Sequence, residues 1–217
     1  MMELDLHIHT NRYSGCSNID PVDLLKVAKD AGLDVIGLTE HGIRWPDEEI
    51  LEIINESGVR DLLVFPGQEV ACYSMKGAFQ GEFLIYGYPK SLGSNKTVEQ
   101  VISMVHEIGG VVIAAHPFKV ADGGYWYYGA GETTCDLPLD ALEIEHPSYG
   151  EESRKKAKDC MVNMGINGLG SSDAHDLKDV GVCRTIIDTT ITTMDDLCRV
   201  IRTGKLNPVR NSKVRHI

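Results

Sequence analysis

Residues 111–117 read Val-Val-Ile-Ala-Ala-His-Pro. Five apolar residues in a row, with Gly109-Gly110 in front and a proline behind, are too few for a helix and predict a strand buried on both faces. The same form recurs at residues 4–8, 35–38, 62–65, 83–86, 141–144, 168–171 and 185–187, of which 83–86 can also be a hairpin arm. Amphipathic stretches separate these runs. Asp20 can cap a helix with Pro21 at its first position, Asp23 at the positive end of its dipole and Gly32 at its stop. Further helices are expected from Pro46 to about residue 55, from a Thr97 cap to Gly109-Gly110, over 151–164, and over 195–202 after a Thr193 cap. Apolar runs alternating with helices predict an α/β fold with a largely parallel sheet. Seven or eight strands in 217 residues fall short of the roughly 250 residues of an eight-fold barrel. A seven-stranded β/α barrel or an open sheet remains.

Composition sets the outer limits. With 42% hydrophobic and 24% charged residues, one globular domain is expected over residues 1–204, followed by a solvated basic tail, 205–217, carrying Lys205, Arg210, Lys213 and Arg215. The segment 122–132, DGGYWYYGAGE, reads as a long loop over a mouth or a plain surface excursion. Six cysteines without a C-x-x-C pair argue against a zinc ribbon and a disulfide scaffold and predict reduced thiols. The start lacks a basic region followed by an apolar core, so a soluble cytoplasmic protein is expected. Lys and Arg number 21 against 32 Asp and Glu, a net charge of −11. That balance opposes general binding to nucleic acid or anionic membranes, and any phosphate substrate needs local positive charge.

Six of the eight histidines fall just past the apolar runs. Reading each run into its turn gives His7 and His9, Glu40 and His41, Glu69, His116, Glu145 and His146, and Asp173 and His175. Reactive groups gather at the carboxyl ends of parallel strands, so these positions can converge on one mouth. His7 and His9 lie two apart on a strand and face the same side; Asp173 and His175 repeat the spacing with a carboxylate. Neutral imidazole with carboxylate oxygen suits zinc, manganese or iron. Glu69, following an apolar run and Pro66-Gly67, can bridge two ions or be a turn glutamate; His146 can reach the site or pair with Glu145. His106, within a helix, and His216, in the tail, are set aside. No serine elbow, phosphate loop or dinucleotide fingerprint occurs.

Taken in order, DLHIHT, the helix with AGLD, TEHG, the glutamate after PG, AAHP and SSDAH resemble, over nearly the whole chain, the PHP (polymerase and histidinol phosphatase) family of metal-dependent phosphoesterases. The resemblance implies a distorted seven-stranded β/α barrel, TIM-like in form, and a small stand-alone enzyme with two or three divalent ions. By motif, His7, His9, Glu69 and Asp173 would hold one ion, Glu69 would bridge to a second held by His116, and His41 and His175 would help hold a third. Two positions depart from the family pattern. Where a carboxylate or histidine usually follows H-x-H, this chain has Ser14-Gly15-Cys16-Ser17, with Cys16 or Asp20 as substitutes. Glu82 stands where many members have a histidine; a glutamate can coordinate, so it counts as a ligand of the second ion.

The expected reaction is hydrolysis of a phosphate ester, a phosphomonoester or a nucleotide or oligonucleotide end. The ions would neutralise phosphate oxygens and lower the pKa of a bound water toward about 7. Arg12, Arg44, Lys119, Arg184 and His146 are candidates to grip the phosphate. An amidohydrolase-like C–N hydrolase keeps the metals but usually carries a bridging lysine, and a non-catalytic metal-binding domain is the third reading.

Overall fold

A computed structural model of the protein describes residues 1–121 and 123–211. In chain order the elements are β1 (Met2–Ile8), α1 (Pro21–Asp30), β2 (Val35–Leu38), α2 (Asp47–Ser57), β3 (Leu63–Pro66), β4 (Gln68–Tyr73), β5 (Phe79–Tyr86), α3 (Val98–Glu107), β6 (Val111–Ala114), β7 (Ala141–Glu145), α4 (Glu151–Met164), β8 (Asn167–Gly170), β9 (Cys183–Ile187), α5 (Met194–Thr203) and β10 (Leu206–Arg210). Two short 3-10 turns cover Gly131–Asp136 and Leu177–Asp179. The caps are local chemistry. Asp20 accepts from the amides of Val22 and Asp23, and Thr97 and Thr193 each close a capping box at the start of α3 and α5.

The expected seven-stranded β/α barrel is not what forms. The strands divide between two five-stranded sheets, in the order β10-β9-β1-β2-β3 and β4-β5-β6-β7-β8. Nor is the sheet largely parallel: β1 pairs antiparallel with β9, β9 with β10, β4 with β5, and β5 with β6. The reason is local. No helix separates β3 from β4 or β4 from β5, so the β-α alternation required of a parallel barrel fails there. Instead the chain crosses from one sheet to the other at Gly67, and β4 and β5 form a hairpin through a turn at Ser74–Gly77.

The two sheets face each other across a shared core of Leu4, Leu6, Val35, Leu84, Tyr86, Ile113, Leu169 and Ile187, to which α5 adds Leu197, Val200 and Ile201. Helices α1 and α2 pack on Ile36 and Leu38. Helices α3 and α4 pack with Val112, Leu142 and Ile144. Tyr86 sits fully buried between the sheets and donates its hydroxyl to the Leu6 carbonyl at 2.7 Å. Only glycine fits beside it: a Cβ on Gly37 would lie 1.8 Å from the Tyr86 hydroxyl, and one on Gly67 would lie 2.7 Å from its ring.

Two further expectations are corrected. Residues 206–210 are not a solvated tail but the edge strand β10, held by β9 from Leu206 opposite Ile187 to Arg210 opposite Cys183; Lys213, Arg215 and His216 lie outside the described residues. Cys135 and Cys160 are not reduced thiols but a disulfide that ties the first 3-10 turn to α4. In the segment 122–132, Asp122 is outside the described residues; Tyr127 bridges back to Val120, and Tyr125 and Trp126 are exposed. Among the described residues no helix is long and apolar enough to cross a membrane.

Candidate metal centre

The strand ends carry the chemistry. His7 lies near the end of β1 and His9 just past it, Glu69 belongs to β4 and Glu82 to β5, His116 follows β6, Glu143 lies in β7, and Asp173 and His175 follow β8. Two β-bulges shape this end of the molecule. One interrupts the β1–β2 register between Asp5 and Ile8, the other the β7–β8 register between Glu143 and Glu145. Bulges re-aim side chains, and these two flank His7 and Glu143, whose side chains meet at 3.1 Å. His116 and Asp173 both have left-handed backbone, with φ of 28° and 50°. Non-glycine residues hold such angles only where surrounding structure fixes them.

Glu69 is the hub. Its Oε1 lies 3.3 Å from His7 Nε2 and 3.0 Å from His116 Nε2; its Oε2 lies 3.3 Å from His9 Nε2 and 3.1 Å from His41 Nδ1. Asp173 Oδ1 stands 3.3 Å from His7 Nε2 and 3.5 Å from His9 Nε2. Glu82 Oε2 is 3.7 Å from His116 Nε2. Four sets of donor atoms gather closely enough to share an ion: His7, Glu69 and His116; His7, His9 and Asp173; His9, His41 and His175; and His41, Glu69 and Glu82. All eight side chains singled out as ligands in the sequence therefore meet at one place.

The shell behind them fixes which nitrogen faces inward. Glu143 accepts from His7 Nδ1, and its other oxygen accepts the backbone N–H of His116 at 2.6 Å. His175 Nδ1 donates to the backbone carbonyl of Asp173 at 2.9 Å. His9 Nδ1 lies 3.4 Å from the Ser14 hydroxyl, which itself donates to Glu40 in a short hydrogen bond. Glu40 is held by Thr10 and by Trp45 Nε1 at 3.0 Å. With protons on Nδ1, the Nε2 lone pairs of His7, His9 and His175 point inward, the orientation a cation requires.

Electrostatics and donor chemistry agree on the fit. The Nε2 atoms of His7 and His9 are 3.1 Å apart, and the buried Oε1 of Glu69 has no hydrogen-bond partner. Burial by itself lowers the pKa of His7, but Glu143, Glu69 and Asp173 together raise it well above the usual imidazole range; the same opposition carries His9 up to about 9. Burial raises Glu69 and Asp173, and the imidazoles around them, His7 foremost, bring both well below the carboxylate range. Such a cluster binds protons or divalent cations in the same place. Burial raises Glu82 to about 7, with the Glu69 charge adding to it.

The substrate-gripping candidates separate. Lys119 reaches the cluster, with Nζ 2.7 Å from Asp173 Oδ2 and over the Tyr128 ring. His146 also reaches Asp173 Oδ2, at 3.3 Å, and Glu145 turns away to Arg154 and Lys158 on α4. Arg184 does not arrive: it is buried elsewhere against Glu3, Ala31 O and Gly181 O. Arg12 faces Glu49 and Trp45, and Arg44 faces Asp47. Asp20 is occupied as the α1 cap, whereas Cys16 Sγ lies 3.3 Å from His41 Nε2. Sequence reasoning missed Glu143. A charged residue at mid-strand, between Leu142 and Ile144, was its only signal.

The family described as PHP-associated matches residues 151–206. The uncharacterized protein MJ1587 of Methanocaldococcus jannaschii is 31% identical over 153 residues, covering 66% of this chain and 81% of that protein. Among solved structures, a two-domain protein from Bacteroides vulgatus containing a predicted PHP-like metal-dependent phosphoesterase superposes with a TM-score of 0.70 at 16% identity, over 96% of this chain and 64% of that one. The lesion-specific endonuclease PfuEndoQ of Pyrococcus furiosus gives 0.60 at 19% identity, over 95% of this chain and 57% of that one. At these identities the two structures share the fold.

Proposed function

The chain belongs to the PHP family, and from that premise we propose that it is a metal-dependent phosphoesterase that hydrolyses a phosphomonoester or the terminal phosphate of a nucleotide or oligonucleotide. The observation that carries this reading is the convergence of five imidazoles and two further carboxylates around Glu69. In it, His7, His9, Glu69 and Asp173 hold one cation. Glu69, His116 and Glu82 hold a second, and His9, His41 and His175 contribute to a third with the Cys16 thiol alongside. Imidazole and carboxylate suit zinc, manganese or iron. When bound, such ions supply the positive charge a phosphate ester needs and the acidity that makes water a nucleophile near neutral pH.

The chain's own residues do the rest. Glu143 and Ser14 hold His7 and His9 with Nε2 forward, so binding requires no ring rotation. Lys119, partly exposed at the rim, offers an ammonium to a phosphate oxygen, which a chain of net charge −11 does not provide elsewhere in the cluster. The test is release of phosphate from a generic aryl phosphate with added manganese or zinc. Turnover should be abolished by a chelator and by His7→Ala; turnover that survives chelation removes the reading.

A further inference from the structure

We propose that His146 is a positioning residue that holds Asp173 through an Nε2–H, in the opposite tautomer to the ligand histidines, and is itself no metal ligand. The proposal rests on the reading of Asp173 as a ligand and adds how that carboxylate is aimed. His146 is as deeply buried as His7, His9 and His116 and its Nε2 points at the same carboxylate as two of them, so distance alone would count it among the ligands.

Hydrogen-bond bookkeeping separates it. In the neutral form that binds a cation, His7 and His175 give an Nδ1–H to an oxygen, Glu143 and the Asp173 carbonyl respectively, which leaves Nε2 with its lone pair. At His146 the direction reverses. Its Nδ1 lies 3.2 Å from the backbone amide of Ser148 and 2.7 Å from the Ser148 hydroxyl. A backbone N–H can only donate, so Nδ1 must carry the lone pair, and the proton of the neutral ring sits on Nε2. An Nε2–H donates to a carboxylate; it cannot coordinate a cation. The lock is local, because Ser148 is two residues on, across Pro147. Ring contacts flank it: His116 lies edge-on at 5.3 Å and Tyr149 tilted at 5.4 Å.

Asp173 shows the consequence. Its Oδ2 faces His146 Nε2 at 3.3 Å and Lys119 Nζ at 2.7 Å, with the ligand candidate His116 farther off at 3.8 Å, while Oδ1 faces His7 and His9. The carboxylate is thus held through one oxygen by two close donors and presents the other to His7 and His9. A residue held at a φ of 50° needs such an outside hold, because its backbone conformation does not favour itself.

The test uses the full chain labelled with 15N at histidine. In the zinc-free protein, long-range proton–nitrogen spectra should show His146 with Nδ1 unprotonated and Nε2 protonated, and His175 the reverse; His146→Gln, which removes its signals, assigns them. On adding zinc, the ligand Nε2 resonances should move and those of His146 should keep the N–H pattern. Zinc affinity, measured by competition with a chromophoric chelator, should fall roughly 10- to 100-fold in His146→Ala. His146→Gln, whose amide can donate from nearly the same place, should stay close to wild type. Three results overturn the proposal: a His146 Nε2 that loses its proton on zinc addition, a His146→Ala chain that binds zinc as tightly as wild type, or a Gln variant as weak as the Ala variant. A wild-type chain that takes up no zinc overturns the metal centre itself, a failure distinct from those three.

Discussion

Glu143 holds two of the proposed ligands from behind, one oxygen on the His7 ring and the other on the His116 amide. Glu143→Gln keeps the size but can accept through only one atom, so one of the two donors loses its acceptor. Metal affinity is expected to fall roughly 10- to 100-fold while the circular dichroism stays native, as measured by chelator competition. Unchanged affinity would mean that His7 is oriented by packing alone. Thiols make a second prediction at this scale. Burial pushes Cys72 and Cys183 up to about 12 and Cys198 up to about 11, whereas Cys16 is exposed, although its own desolvation raises it. Iodoacetamide at pH 8 should therefore label Cys16 in the native protein and the other three only after denaturation, read by peptide mass spectrometry. The histidines were legible because an imidazole at the end of an apolar run is conspicuous. Glu143 was not, since a carboxylate at mid-strand has no meaning until its partners, more than a hundred residues upstream in the case of His7, are brought beside it.

At the scale of elements, helices were read closely because their signals are local. Asp20, Thr97 and Thr193 stand at the caps, and glycine terminates α2 and α4 in left-handed conformation. Two strands were missed. β4 follows Gly67 without a helix, so its start looked like a turn carrying Glu69. β10 carries Asn207 and Pro208 among basic residues, a composition that resembles a tail; proline is tolerated there because β10 lies at the edge of its sheet. A chain ending at Gly204 is expected to lose at least about 5 °C in thermal midpoint relative to the full chain, because β9 loses its whole β10 ladder. A midpoint that does not move would show that β10 adds nothing to stability.

For the molecule as a whole, the proposed metal centre would join the two sheets: His7 in β1 and His9 just past it come from one, and β4 and β5 bring Glu69 and Glu82 from the other. A cation bound among them acts as a cross-link in the native state only. Zinc or manganese at about 100 times its dissociation constant should add about 2.7 kcal/mol of stability. A chain of this length should show that as a rise of very roughly 5–10 °C in thermal midpoint, reversed by EDTA and absent in His7→Ala. Equal midpoints with metal and with chelator would contradict a shared site between the sheets.

Sequence alone was enough for the caps, most of the strands and the identity of the clustered imidazoles and carboxylates, because each of those is written in residues close together along the chain. Only the tertiary structure decided that the strands split into two mixed sheets, that Cys135 meets Cys160, that Arg184 is buried away from the cluster, and that Glu143 stands behind His7. These depend on which distant segments pair, and pairing is set by the packing of the shared core around Tyr86 and by the crossing at Gly67, where only a residue without a Cβ fits.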